Sequence, residues 1–212
     1  MYDSRLAVIA AVIALLASAS ESHSEDALKP DIVFLLIGQS NMAGRAPLEE
    51  DDKTEFKNVL LLNADNKWEP ARNPLNRYAS NRKTISMQRL GPGDGFVRHL
   101  RQQIPDATIG LIVNARGGTS IEQWEKGKPL YDNTLKRLKA AGMPKIAAVL
   151  WHQGEANGAD PDYGDKLARF IATLRKDLSS PAMPFIAGQV AKDLPVNDHI
   201  AALPEKVKHT AF

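Results

Sequence analysis

The chain has 212 residues, a formal net charge of +2, 25% charged side chains and no cysteine. That length suits one α/β domain with a substantial core. The near-neutral balance argues against a nucleic-acid or acidic-lipid surface, and the missing cysteine excludes disulfides, thiolate metal sites and a cysteine nucleophile.

The chain opens with "MYDSRLAVIAAVIALLASASES", which reads as a secretory signal over residues 1–19. Arg5 precedes an apolar stretch from Leu6 to Leu16, and Ala17-Ser18-Ala19 fits a small-residue cleavage site. The stretch is too short to span a bilayer. The expectation is a mature protein starting near Ser20, exported to the periplasm or the cell exterior, with no membrane attachment after cleavage. A polar leader over 20–30 then precedes a single domain over 31–212.

Within that domain short apolar runs alternate with helical patterns. "DIVFLLIG" (31–38), "NVLLLNA" (58–64), "TIGLIVNA" (108–115), "KIAAVLWHQ" (145–153) and "PFIAGQV" (184–190) are nearly continuous, as strands buried on both faces of a parallel sheet are. The spacing predicts helices over 95–104, 130–142, 163–178 and 196–207, with Pro204 ending the last one early. Residues 65–95 have no sustained period and read as a long irregular loop. Strand–helix alternation gives a doubly wound α/β fold, in which ligands bind beyond the carboxyl ends of the strands.

Three strand exits carry chemistry. Ser40, in "IGQSNM", follows the first strand at a helix start, where backbone N–H groups face an incoming oxygen. On position alone a plain N-cap serine is the favoured reading, and Met42 stands where a lipase elbow needs glycine. "NARGGTSIEQW" (114–124) pairs two glycines after a strand, as an oxyanion donor or a tight turn requires. "WHQGEAN" (151–157) brings Gln153 as an amide donor and Glu155 as a carboxylate acceptor. His152 and Glu155 lack the further ligands a metal site needs. "GPGDGF" departs from a nucleotide loop, because Phe96 replaces the last glycine and no strand precedes it.

Taken together, "GQSNMAGR", "GPGDGF", "ARGGTSIEQW", "PLY" and "LWHQGEAN" resemble the sialate O-acetylesterase-like group of the SGNH hydrolases, including carbohydrate esterase family 6, over about residues 31–212. The resemblance implies a three-layer α/β/α, flavodoxin-like fold with a central parallel sheet of about five strands. It also implies a serine esterase that removes acetyl groups from sugars without a cofactor or metal. Carried over, Ser40 is the nucleophile, Gly117 or its neighbour Gly118 a backbone oxyanion donor, Gln153 the completing donor, and Glu155 the acidic partner of a catalytic histidine. Gln39, Asn41, Arg116, Gly118 and Trp124, together with Trp68, are candidates for substrate contact. Core packing is an equal alternative for either tryptophan.

An acyl-transfer serine needs a general base. In the family this is a histidine in a D-x-x-H motif near the C-terminus, and no aspartate here has a histidine three residues on. His23 lies in the leader, His152 is assigned a structural job, and His99, His199 and His209 read as surface or capping residues. The expectation is therefore a fragment that stops before its last block, with a short protein that has lost its base as the alternative. The function expected is an exported acetylesterase acting on O-acetylated carbohydrate of the acetylxylan or sialate type. A carbohydrate-binding pseudoenzyme and an SGNH lipase or thioesterase stand as alternatives.

Overall fold

The computed structural model describes residues 28–212 other than 80, 83 and 192. The expected signal over 1–19 and most of the leader lie outside the described residues. The strands are β1 (Ile32–Gly38), β2 (Glu55–Leu62), β3 (Trp68–Arg72), β4 (Ile109–Ala115), β5 (Ile146–His152), β6 (Phe185–Ala187) and β7 (Thr210–Ala211). The helices are α1 (Ser40–Ala43), α2 (Gly93–Gln103), α3 (Pro129–Ala140), α4 (Tyr163–Asp177), α5 (Val196–Ala201) and α6 (Leu203–Lys206).

One sheet runs in the order β3-β2-β4-β1-β5-β6-β7. All neighbours are parallel except β2 and β3, an antiparallel pair at one edge. The sheet thus has two strands more than expected, one at each edge. β3 falls inside the stretch expected to be irregular.

The continuous apolar character of β1 follows from burial on both faces. Val33, Leu35 and Ile37 join one core with Tyr131, Leu138, Leu167, Phe170 and Ile171 from α3 and α4. Phe34 and Leu36 join the other with Val97 of α2. Side chains alternate across a strand, so helices on both faces bury all of them. Each fully buried large apolar side chain contributes about 1.5–3 kcal/mol, which makes the three-layer arrangement the stable solution.

α4 buries Tyr163, Leu167, Phe170, Ile171 and Leu174, the stripe its helical spacing predicts. Pro204 acts as expected, since α5 stops at Ala201 and α6 begins with the proline in its first turn. The central strands β4, β1 and β5 stand in register, with Gly38 opposite Ala115 on one side and His152 on the other. That register places the Ser40, Gly117 and Gln153 loops side by side.

Candidate active site

β1 leaves the sheet through Gly38, whose φ is +142°. A Cβ there would stand 2.2 Å from the His152 carbonyl oxygen, so only glycine lets the chain pass β5 this closely. Gln39 N–H donates to that same carbonyl at 2.8 Å. The chain then turns into the single helical turn of α1, with Gln39 in the capping position and Ser40 as the first helical residue. Ser40 is half-buried, and its hydroxyl makes no hydrogen bond among the described residues. Its side chain therefore does not act as a cap.

The β4 exit comes directly alongside. Arg116 N–H donates to Gly38 O at 2.9 Å, carrying the β1–β4 pairing one step beyond the strands. A Cβ on Gly117 would lie 3.7 Å from Ser40 Cβ and 3.4 Å from an Arg45 guanidinium nitrogen. Gly117 is thus packed against Ser40. Gly118 has φ +76° and open space where a side chain would go. Among the described residues the N–H groups of Gly117 and Gly118 donate to no protein acceptor. Free backbone donors beside a free hydroxyl are what a tetrahedral oxyanion needs.

The β5 exit does something different from what its residue types suggest. Gln153 is fully buried, and its Nε2 reaches Asn157 Oδ1 at 2.8 Å, Thr119 O at 3.1 Å and Gln39 Oε1 at 3.2 Å. An amide nitrogen has two hydrogens, so no donor is left for a substrate oxygen in this arrangement. Gln153 Oε1 is buried without a partner. Gln39, only 3% exposed, is likewise not presented to solvent. Its Oε1 also accepts from the Gly154 and Ala156 N–H groups, both at 3.3 Å. Asn157 Oδ1 accepts from Ile121 N–H at 2.8 Å. These three amides tie the β1, β4 and β5 loops together and position them rather than face substrate.

Asn41 Nδ2 donates to Glu155 Oε1 at 2.5 Å, while Glu155 Oε2 is buried with no donor among the described residues. His152 turns the other way, its imidazole against Gly188 beyond β6 and its Nδ1 buried without a partner. His152 and Glu155 thus face different neighbours, as a pair of metal ligands would not. His99 and His209 are exposed, and His199 packs on Gly164 of α4. None of these four histidines hydrogen-bonds Ser40.

Both tryptophans belong to the packing. Trp124 is fully buried, donates to Thr119 Oγ1 at 3.1 Å and meets Trp151 edge-on at 5.4 Å, which leaves no face for a sugar. Trp68 lies over Gly110 near the start of β4, away from the strand exits. Arg116 is exposed at the site's rim. The residue missed from the sequence is Arg45, brought to Gly117 by the turn that follows α1. The motif "GQSNMAGR" contains it, and only the fold shows where it points.

Outside the immediate site, Glu122 joins the same loops to α4. Burial raises its pKa, but the Lys166 ammonium, Ser120 and Asn157 outweigh this and bring it down to about 2. Lys166 also holds Asp160 at 2.6 Å, lowering that carboxyl as well.

The α/β fold with its mostly parallel seven-stranded sheet matches the structures of SGNH-like esterases. Residues 30–211 match the family described as "Carbohydrate esterase, sialic acid-specific acetylesterase", and the chain belongs to that family. A probable carbohydrate esterase of Arabidopsis thaliana is 36% identical over 188 residues, covering 77% of this chain and 70% of the relative. An Arabidopsis thaliana crystal structure superposes with a TM-score of 0.74 at 30% identity, covering 86% of this chain and 85% of that one. The crystal structure of NanS gives 0.61 at 20% identity over 84% of this chain and 74% of its own. A carbohydrate acetylesterase from Xanthomonas citri gives 0.58 at 18% identity over 85% and 49%. These last two share the fold.

Proposed function

We propose that the chain is a carbohydrate O-acetylesterase in which Ser40 attacks the acetyl carbonyl. The observation that carries this reading is the meeting of two strand exits, the unbonded Ser40 hydroxyl flush against Gly117. The Ser40 N–H, first in its helical turn, and the Gly117 N–H would hold the oxyanion, each such donor contributing about 3–4 kcal/mol. Gln153 acts one step back, holding the loops that carry those donors. Glu155 Oε2 is the acceptor that would orient an imidazolium, since it is buried beside the Ser40 turn and lacks a donor. The family membership and the Arabidopsis relative support ester hydrolysis on carbohydrate. Export through the N-terminal signal belongs to the same reading.

The test follows from the histidines. A general base contributes about 10²–10⁴-fold, and no imidazole bonds Ser40 among the described residues. The 212-residue chain should hydrolyse p-nitrophenyl acetate slowly, and added imidazole should raise the rate above the level seen with Ser40→Ala. A rate that imidazole does not raise above the Ser40→Ala level, with acetylated oligosaccharide still bound, would favour the carbohydrate-binding reading instead. Fast unaided turnover would show that an internal base exists.

A further inference from the structure

The stretch 65–95, irregular by its sequence, sends one buried arm to the strand exits. In the run Asn73-Pro74-Leu75-Asn76 the two asparagines are only 4% and 2% exposed. Leu75 packs in the core that holds Phe34 and Val97. Asn73 donates to Asp94 Oδ1 at 2.7 Å and to the Asp52 carbonyl at 3.0 Å, which anchors the arm to the start of α2. Leu75 and Asn76 also line a narrow gap with Met42 and Ala43 of α1.

Asn76 does what Asn73 does not. Its Nδ2 donates to the Ala115 carbonyl at 2.9 Å, and its Oδ1 accepts from the Ala115 N–H at 3.0 Å. One donor and one acceptor are what the backbone of a neighbouring strand would supply. No strand pairs with β4 there, because its register with β2 ends at Leu61 and Leu111, short of Ala115. A side-chain amide thus takes the place of backbone at the last rung. Ala115 is itself buried, so both of its groups would otherwise lack a partner.

The position of that rung bears on the serine. The Ala115 carbonyl and the Arg116 N–H belong to one planar peptide unit. Asn76 holds its oxygen, and Gly38 O holds its N–H from the β1 side at 2.9 Å. The unit is therefore clamped at both edges. Only the φ and ψ of Arg116 separate it from the next unit, which carries the Gly117 N–H against Ser40. Without Asn76 the clamped unit keeps one tether and can tilt about it.

We propose that Asn76 is a positioning residue of the serine site: its amide, standing in for a strand beside Ala115, fixes the direction of the Gly117 N–H. That this N–H holds an oxyanion rests on the esterase reading. The mechanical tie does not.

Amide hydrogen exchange and nitrogen-15 spectra of the 212-residue chain test the tie. In the parent chain the Ala115 N–H should exchange at least about a hundredfold more slowly than the Gly118 N–H. Equal exchange at the two would overturn the tie, and that measurement needs no variant to fold. Asn76→Ala should shift and broaden the Gly117 amide signal. Asn73→Ala removes a comparably buried amide from the same arm and should leave that signal in place. An undisturbed Gly117 in Asn76→Ala, or equal disturbance by both variants, would make Asn76 a packing residue only.

Kinetics read the consequence. In imidazole-assisted hydrolysis of p-nitrophenyl acetate, Asn76→Ala should lower kcat about tenfold or more with KM within about twofold, because a misaimed donor is felt in the transition state. A raised KM at constant kcat would overturn the positioning role. If the parent chain shows no imidazole-assisted turnover, the esterase reading falls, and the Gly117 amide signal still decides whether Asn76 holds it.

Discussion

Two groups of residues leave the carboxyl ends of the same three central strands and are held in opposite ways. At the junction of Gln39, Gln153 and Asn157, buried amides and backbone groups bond one another across three loops, and the Gln153 Oε1 lacks a donor among the described residues. At Ser40, Gly117 and Gly118, a few residues away, a hydroxyl and backbone N–H groups have no protein partners among the described residues. The bonded junction fixes positions, and the open group presents donors at those positions. This division resolves the role of Gln153, whose residue type suits an oxyanion donor but whose hydrogen bonds make it a brace. Preorganised donors need such a brace, because loop drift of even 1 Å weakens catalysis severely.

The comparison can be broken first at the strand exit. Gly38→Ala would force a Cβ into the His152 carbonyl at a left-handed φ. A loss of about 3–5 kcal/mol is expected in chemical denaturation, or failure to fold. A loss below about 1 kcal/mol would mean the exit is softer than it looks. Next, Gln153→Leu strips a donor from three buried acceptors and should cost about 2–3 kcal/mol. If Gln153 instead served mainly the oxyanion, stability would barely change while hydrolysis collapsed.

Acid should act on the brace more gently. Glu122 is held below its ordinary 4.5, at about 2. Its contribution is therefore complete above pH 4.5 and fades as pH falls towards 2. The side chain is 41% exposed, so screening limits the effect to a Tm fall of roughly 2–4 °C across that window. Glu122→Gln should flatten the profile there. The smallest effect belongs to the open group. Ser40→Ala should leave stability within about 0.5 kcal/mol, since the hydroxyl bonds none of the described residues, while removing any imidazole-assisted esterase activity. A larger stability loss would assign Ser40 to the brace.

The centre of the fold was legible in the sequence because burial on both faces leaves an unbroken apolar run, as in "IVFLLIG". The edges were not. β3 reads "WEPAR", with a proline and two charges, and only its pairing with β2 makes it a strand. β7 has two residues, too few for any period to register. At the site, Ser40, Gly117 and Glu155 could be picked out as residue types at strand exits. That Gly117 lies against Ser40 depends on the register of β1 with β4, which no local pattern encodes. Trp124 shows the reverse error, since an aromatic after a glycine turn suggests a sugar platform, while burial against Trp151 makes it core.

The antiparallel β3 has a further consequence. A strand at the border of a sheet is a template on which a second chain can polymerise, and a long apolar border invites fibres. Here the border is five residues long, Pro70 at its middle offers no N–H to any ladder, and Glu69 and Arg72 place opposite charges along it. These features together discourage edge-to-edge self-association at this border.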